Sequence, residues 1–267
     1  MHVIKISKAI LPEDVYLKIR EIFFLAKRIF FDRKRKIVQK NIIKFFSLHG
    51  PNVVGGPFKG LHYINESTGS IYLPKLIGSY EDMLHPYFMK VFNDSSIRTI
   101  VDIGAAEGYY IAGISRYFPK VIYHAFEITE NGRNLINKLL EVNDIKVDIH
   151  IHGEATNENV SECITDDAFI ICDIEGGEKS VLDLDKATVK KIKYAIVELH
   201  EMFVPGGEAV VRKAFVNTHH ITEISYANPK KQDYLFLRDL SDAENEIIHT
   251  FNTRVYEQKW LFIERKA

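Results

Sequence analysis

An acid and two glycines occupy the junction between an apolar run and a helical pattern in RTIVDIGAAEGYYIAGISRYF, residues 98–118. Gly104 and Gly108 permit a tight turn and let a ligand approach the backbone without a Cβ in the way. Asp102 favours a cationic ligand over phosphates, because opposite charges attract and like charges repel. A helix beginning near Glu107 offers free N–H groups to a carboxylate. These residues predict a pocket for a small ligand that carries a positive charge and a carboxylate.

The spacing of this turn differs from that of dinucleotide-binding proteins, which have Gly-x-Gly-x-x-Gly. Here the pattern is Asp-x-Gly-x-x-x-Gly, and Ala106 stands where the middle glycine would let a pyrophosphate sit close. S-adenosylmethionine has a sulfonium, an ammonium and a carboxylate but no phosphate. The turn therefore predicts S-adenosylmethionine as the cofactor.

Two further segments are placed to hold an adenosine group. Glu127 ends the next apolar run, about twenty residues beyond the turn, where an acid can accept hydrogen bonds from ribose hydroxyls. Glu154 and Ala155 follow a third run in the sequence HGEAT. We expect them to meet the adenine amino group with an acceptor and a backbone N–H.

In their order, these residues resemble those of class I S-adenosylmethionine-dependent methyltransferases, over residues 98–263. A second resemblance is narrower. The segment CDIEGGEKSVLD, residues 172–183, is similar to the Asp-x-Glu-Gly-x-Glu-x-x-Val-Leu signature of the FkbM-like methyltransferases, and AIVELHE, residues 195–201, resembles their fifth strand. This resemblance implies methyl transfer to a hydroxyl of a sugar, a glycan or a related small metabolite. The segments GPFKGLHY and LPKLIGSYEDML lie outside the signature, so the acceptor stays open.

Methyl transfer from a sulfonium is an in-line displacement that depends on alignment of the acceptor oxygen. A hydroxyl is a poor nucleophile, so a general base must take its proton. Asp173, Glu175 and His200 are the candidates, because Asp173 and His200 follow neighbouring strands and should face one crevice. For Asp173, a cofactor-binding position near the methyl or ammonium group of the donor is favoured. The alternative for His200 is a hydrogen bond to the substrate or to a neighbouring acid. As an alternative, the same three residues and Glu198 form a metal site for Mg²⁺ or a similar ion.

Upstream segments supply candidate contacts to the cofactor. Residues 50–78 are dense in Gly, Pro, Asn and Ser, and also carry aromatics, as binding loops and lids often do. Tyr80 and Glu81 follow this stretch. Either they touch the methionine part of the donor, or they only begin and cap a helix.

The elements that must position these residues are predicted from hydrophobic periodicity. Short apolar runs alternate with helical patterns, which indicates βαβ units and a parallel sheet covered on both faces. The predicted strands are TIVDIG, VIYHAFEI, KVDIHIHG, AFIICDIEG, YAIVELH, HHITEISYA and YEQKWLFIERK. We expect a Rossmann-like α/β methyltransferase fold over residues 94–267, with a seven-stranded, mostly parallel sheet whose last strand is antiparallel. A helical, loop-rich N-terminal region, residues 1–93, precedes it.

Composition and charge narrow the function further. The 267 residues have a formal net charge of −1, which gives no general attraction to nucleic acid. The two cysteines, Cys163 and Cys172, are too few to staple the chain, which favours a reducing cytoplasm. No signal peptide or membrane-spanning run is expected. His150 and His152 alternate along the third strand and point to one face, where a structural role is favoured.

A basic, aromatic-rich amphipathic helix is predicted from Pro12 to about Phe46, and it includes DRKRKIVQK. It packs on its own domain or on a second copy of the chain, or it lies on an anionic membrane surface, with RNA binding a weaker alternative. For the whole chain, the alternatives to a methyltransferase are an NAD-dependent nucleotide-sugar oxidoreductase or epimerase, and a non-catalytic membrane-docking or scaffold protein.

Overall fold

The computed structural model describes residues 13–68, 70–250 and 259–266, with side chains from residue 31 onward. The predicted helix start at Pro12 lies outside the described residues. So do the first three residues of the predicted last strand and the side chains of the first apolar positions in the N-terminal helix.

Seven strands in the described part of the chain form one sheet. They are β1 (Thr99–Ile103), β2 (Ile122–Phe126), β3 (Asp148–His152), β4 (Ala168–Cys172), β5 (Ile192–Leu199), β6 (His219–Ser225) and β7 (Lys259–Arg265). Their order is β3-β2-β1-β4-β5-β7-β6. Strands β1 to β5 pair in parallel, and β7 pairs antiparallel with both β5 and β6. This is the Rossmann-like methyltransferase fold, so the predicted fold class is confirmed.

Helices cover both faces of this sheet, and further helices precede it in the N-terminal region. They are α1 (Glu13–His49), α2 (Tyr72–Ile77), α3 (His85–Phe92), α4 (Tyr109–Ser115), α5 (Glu130–Val142), α6 (Asn157–Cys163), α7 (Glu178–Val181), α8 (Lys186–Lys191), α9 (Gly207–Phe215), α10 (Leu235–Arg238) and α11 (Asp242–Thr250). Short 3-10 helices span Asp82–Leu84 and Lys231–Asp233. Pro86 lies in the first turn of α3, where a missing N–H breaks no hydrogen bond.

The central strands are apolar throughout because both of their faces are covered. Every residue of β1 and of β4 is buried. Alternate residues of β1 enter two separate hydrophobic clusters, with Ile100 in one and Val101 and Ile103 in the other. Asp102 is the charged exception in β1, and its Cα partners are Ala125 on β2 and Ile171 on β4. A buried carboxylate in such a strand requires a functional or an electrostatic reason.

Strand β1 lies beside β4, and the connection that leaves β1 runs to β2 on one side, whereas the connection that leaves β4 runs to β5 on the other. In open α/β sheets this switch point forms a crevice that binds ligands. Asp102, Glu127 and Asp173 lie at or just beyond the carboxyl ends of β1, β2 and β4, respectively. The fold therefore brings together acids that are far apart in sequence.

The N-terminal region packs against the same core as the sheet. Val38, Asn41 and Phe45 are buried at helical spacing along α1. Phe58, from the loop that follows, lies so close to α4 that a Cβ on Gly113 would be 2.3 Å from its ring. The interpretation of α1 as a helix that packs on its own domain is therefore supported for its C-terminal half. Membrane contact stays a prediction, and no helix in the described ranges is long and apolar enough to cross a membrane.

Candidate active site

A cavity of about 430 Å³ opens at the switch point, a volume typical of small-molecule sites. Its wall contains most of the residues that the sequence singled out: Tyr80, Asp102, Gly104, Ala106, Glu127, Glu154, Ala155, Asp173 and Glu175. Glu81, Glu107, Gly108, Glu198 and His200 are not among the lining residues. The turn and the segments expected to hold adenosine thus converge on one pocket. Glu198 and His200, from the predicted base or metal site, lie behind the residues that line it.

The glycine turn allows two strand ends to touch. Gly104 has φ 89°, and a Cβ there would lie 1.8 Å from the Asp173 carbonyl oxygen. Gly108 also has positive φ and packs against Ile136 of α5. Ala106 adopts φ 49°, which is unfavourable for a residue with a Cβ and typical of functional turns. Gly104 therefore sets how closely Asp173 approaches the turn.

Glu127 is held rigidly at the end of β2. Its Oε2 accepts the Ala106 N–H at 3.0 Å, and its Oε1 accepts the Thr129 N–H at 2.8 Å and hydroxyl at 2.6 Å. A Cβ on Gly132 would be 2.5 Å from the Glu127 Cγ. These contacts fix the carboxylate at the pocket wall, and a carboxylate has about four acceptor positions, which leaves one for a ligand hydroxyl.

Asp102 is a buried acid with an incomplete set of partners. It is 2% exposed, and its Oδ2 has no hydrogen-bond partner among the described residues. Burial, with added repulsion from Asp173 and Glu127, raises the pKa of Asp102 to about 8. An unpartnered buried oxygen of this kind is costly unless a ligand completes it. The geometry therefore favours a cationic group in the adjoining cavity.

Glu107 has a different environment from the one that the sequence predicted. Helix α4 begins at Tyr109, two residues later than expected, and Glu107 is fully buried beside the turn. Its carboxylate forms a buried ion pair with Lys75 of α2. It also accepts hydrogen bonds from Tyr63 Oη, Ser67 Oγ and Thr68 N. Glu107 thus binds the upstream loop and α2 to the glycine turn.

The charge of Glu107 is stabilised by this arrangement. Burial alone would raise its pKa, but the Lys75 ammonium and the donated hydrogen bonds hold the pKa of Glu107 below its ordinary value. No sequence signal identified this pair directly. A lysine within the apolar helix LPKLIG is the one available hint, because lysines are rarely buried without an acid.

Tyr80 and Glu81 differ in their positions. Tyr80 lines the cavity, whereas Glu81 lies at φ 47° immediately before the 3-10 helix and accepts a hydrogen bond from Tyr110 Oη. Burial and the nearby charge of Asp173 raise the pKa of Glu81 to about 7. Tyr80 is thus placed to meet a ligand, and Glu81 adds a further acid to the group behind the wall.

His200 is surrounded by carboxylates at the end of β5. Its Nδ1 lies 2.6 Å from Glu178 Oε1. Its Nε2 lies 3.7 Å from Asp173, 3.6 Å from Glu175 and 3.8 Å from Glu198. Burial alone would lower the pKa of His200, but the Glu178 hydrogen bond and the surrounding charges raise it above its ordinary value.

Asp173 and Glu198 lie close together in this group, and two carboxyl groups this close would repel each other unless they shared a proton or a cation. Burial raises the pKa of both residues, and the Asp173 charge adds to the effect at Glu198. One ligand atom from each of Asp173, Glu198 and His200 lies within 4.8 Å of the others. Carboxylate oxygens suit Mg²⁺ and an imidazole suits transition metals, so the donor set is compatible with a divalent ion.

The sequence missed the role of Glu178. Glu178 lies at the first position of α7, where an acid suits the positive end of a helix. Its Oε1 also contacts His200 Nδ1 and accepts the Gly176 N–H at 3.1 Å. This orientation of an imidazole by a buried carboxylate depends on the loop after β4 folding back toward β5, which sequence spacing does not reveal.

No protein-family model and no curated protein matches the chain. Several solved structures have a similar fold. A precorrin-6y C5,15-methyltransferase from Geobacter metallireducens has 12% identity and a TM-score of 0.45, with 70% of this chain and 88% of that chain covered. An O-methyltransferase family protein from Burkholderia thailandensis has 13% identity and a TM-score of 0.41, with 72% and 58% covered.

The O-methyltransferase TomG from Streptomyces achromogenes, involved in tomaymycin synthesis and solved with S-adenosylmethionine, has 10% identity and a TM-score of 0.44, with 68% of this chain and 81% of that chain covered. All three of these neighbours are described as methyltransferases or members of a methyltransferase family, and TomG was solved with the methyl donor bound. At such identities the likeness concerns the fold, and the FkbM-like resemblance stays a prediction.

Proposed function

We propose that this chain is an S-adenosylmethionine-dependent methyltransferase that acts on a hydroxyl of a sugar, a glycan or a related small metabolite. One observation carries the proposal: Asp102 has an unpartnered buried oxygen at a cavity whose wall also contains Glu127 and Asp173. Three acids and an incomplete hydrogen-bond set fit a cationic ligand and repel a diphosphate.

The residues of the cavity fit the parts of S-adenosylmethionine. Glu127 has an acceptor position for the ribose hydroxyls, and Glu154 and Ala155 lie where the adenine ring is expected. Asp102 and Asp173 supply negative charge for the ammonium and sulfonium groups. Tyr80 adds an aromatic face, which is attractive to cations.

The bound cofactor supplies an electrophilic methyl group. The chain must then align the acceptor oxygen and remove its proton. Glu178 accepts a hydrogen bond from the Nδ1–H of His200, which leaves Nε2 as the nitrogen that takes the proton. Asp173 and Glu175, between this nitrogen and the cavity, accept hydrogen bonds from other acceptor hydroxyls.

An acceptor rich in hydroxyl groups fits this end of the cavity. Carboxylates are acceptor-only groups, and several of them surround the expected methylation point. The loop after β5 exposes Met202 and Phe203, and the Phe203 ring is stacked at 6.2 Å from His200. An apolar surface beside carboxylates suits a sugar ring, which has apolar C–H faces and polar edges.

A divalent cation such as Mg²⁺ is the alternative occupant of the group formed by Asp173, Glu198 and His200. In that case the metal would hold the acceptor oxygen, and chelation would remove activity. With His200 as the base, Mg²⁺ added back after EDTA has no effect on activity. Mg²⁺ added back after EDTA separates the two mechanisms in one assay.

The proposal is tested by isothermal titration calorimetry with S-adenosylmethionine and, separately, with NAD. We expect wild-type protein to bind the first and not the second, and Asp102→Asn to weaken binding by at least about tenfold, since one lost charge pair in a buried site is worth over 1 kcal/mol. Labelled methyl transfer to a panel of sugars, nucleotide sugars and glycans then identifies the acceptor. Binding of NAD alone would overturn the proposal.

A further inference from the structure

A second group of potential metal ligands lies on the β2–β3 side of the sheet. His124 belongs to β2, His152 ends β3, and Cys163 ends α6. One ligand atom from each of these residues lies within 4.8 Å of the others. None of the three is among the residues that line the cavity.

The distances in this group match those of a tetrahedral zinc site. His124 Nδ1 lies 3.1 Å from His152 Nε2, and Cys163 Sγ lies 3.9 Å from the same Nε2. With Zn–N of about 2.0 Å and Zn–S of about 2.3 Å, tetrahedral geometry separates two nitrogens by about 3.3 Å and nitrogen from sulfur by about 3.6 Å. Changes of a few tenths of an ångström would convert these two contacts into ligand separations, and the ligand atoms of His124 and Cys163 lie within 4.8 Å of each other.

The fold holds these three side chains in place from different elements. His124 is directly opposite His150 in the parallel register, and His152 is opposite Phe126, on which its ring stacks at 4.5 Å. Helix α6 begins with a capping box, so the position of Cys163 at its other end is well defined. A ligand set held by two strands and a helix changes little when it binds a metal.

The donor atoms suit a metal that accepts both nitrogen and sulfur ligands. Neutral imidazole nitrogens and cysteine thiolates are both zinc ligands. Binding at Cys163 would displace the thiol proton.

We propose that His124, His152 and Cys163 bind one zinc ion through two ring nitrogens and a thiolate, with water in the fourth position. His152 immediately precedes Gly153 and Glu154, which line the cofactor cavity. The metal would therefore tie β2, β3 and α6 together at the edge of the sheet and fix the segment expected to meet adenine.

Cobalt titration of tag-free, metal-stripped protein tests this site without an activity assay. Tetrahedral Co²⁺ with a thiolate ligand gives intense visible bands and a sulfur-to-cobalt charge-transfer band in the near ultraviolet. We expect both at one Co²⁺ per chain, and we expect Zn²⁺ to abolish them by displacement. Cys163→Ser should remove the charge-transfer band, and His124→Ala should weaken Zn²⁺ binding by more than about 100-fold, since even outer-shell changes reach that size.

Three variants serve as controls. Cys172→Ala removes the other thiol, and His220→Ala removes an exposed histidine of β6. Asp173→Asn/Glu198→Gln disables the acidic group near His200, whose oxygen ligands give no thiolate band. All three should retain the wild-type spectrum. The proposal is overturned if wild-type protein shows no thiolate band, or if Co²⁺ binding is lost in the acidic double variant and unchanged in Cys163→Ser.

Discussion

Two buried acids flank the same glycine turn and have opposite surroundings. Glu107 has an ion pair with Lys75 and three further donors, and these hold its pKa below the ordinary value. Within the described ranges Asp102 forms no ion pair and has one oxygen without a hydrogen-bond partner, and burial and neighbouring acids raise its pKa to about 8. The described residues thus supply charge and hydrogen-bond partners for Glu107, but leave one oxygen of Asp102 without a partner.

This difference distinguishes a structural acid from a ligand-binding acid. Burial is similar for both residues, at 0% and 2% exposure, so burial alone does not separate their roles. The partners separate them, because a buried charge persists only when it is paired. Where the chain supplies no partner, a ligand or a proton must do so, and the cavity lies beside Asp102 and not beside Glu107.

Loss of the structural pair should have the largest effect on stability. Lys75→Met leaves Glu107 charged and buried without its partner, which should reduce the free energy of unfolding by about 3–5 kcal/mol. Urea denaturation measures this change. The double variant Lys75→Met/Glu107→Gln should recover most of the loss. If the single variant has wild-type stability, Glu107 is not held as an ion pair.

The next largest effect is expected on catalysis. Glu178→Gln keeps the shape of the His200 contact and removes its charge, so kcat/KM should fall by about 10- to 100-fold. His200 acts as a base only when neutral, so the rate rises with pH through its pKa. Because Glu178 raises that pKa, the variant's rise should move to lower pH.

Glu223→Gln is the matched control for that measurement. Glu223 lies on β6, outside the group around His200, and forms ion pairs with Arg212 and Lys259. Its pH profile should equal that of the wild type. A profile that stays in place for Glu178→Gln would remove Glu178 from the proposed role and leave Asp173 as the better candidate for the base.

A smaller effect is expected on the pH dependence of stability. The pKa of Asp102 is about 8 in the folded chain and about 4 when unfolded, so the folded state binds more protons between these values. Stability from this group is therefore present below pH 4 and is lost as pH rises toward 8. Between pH 5 and 8, the stability of Asp102→Asn should therefore fall less with rising pH, or rise more, than that of wild-type protein. Thermal unfolding across this range measures the difference.

Glu107→Gln should change the pH dependence of stability in the opposite direction in the same experiment. Its lowered folded pKa makes the charged form stabilising above the unfolded pKa, and this stability is lost as pH falls through the folded value. The variant should thus differ most from wild type at neutral pH. Identical pH dependence for the two variants would contradict the distinction between the two acids.

The sequence predicted the fold well because its signals are local. Apolar runs of strand length, helical periodicity and the turn from Asp102 to Gly108 are each contained within a few residues, and the strand order confirms the fold class that they indicated. Trp260, within the predicted last strand, is fully buried.

Contacts between distant segments were not predictable in this way. Glu107 pairs with a lysine 32 positions earlier, and Glu178 contacts an imidazole 22 positions later. Both pairings depend on how loops fold over the carboxyl ends of the strands. Similarly, the shared face of His150 and His152 follows from strand alternation, but the approach of Cys163 depends on where α6 ends.

Proton release during cofactor binding tests the central claim most directly. S-adenosylmethionine is titrated calorimetrically at pH 7 into the wild-type chain and Asp102→Asn, in buffers of different ionisation enthalpy. A cation bound beside Asp102 must lower its pKa, so wild-type protein should release protons on binding, and the variant should bind more weakly and release fewer. Binding with equal affinity and equal proton release in both proteins would contradict the account.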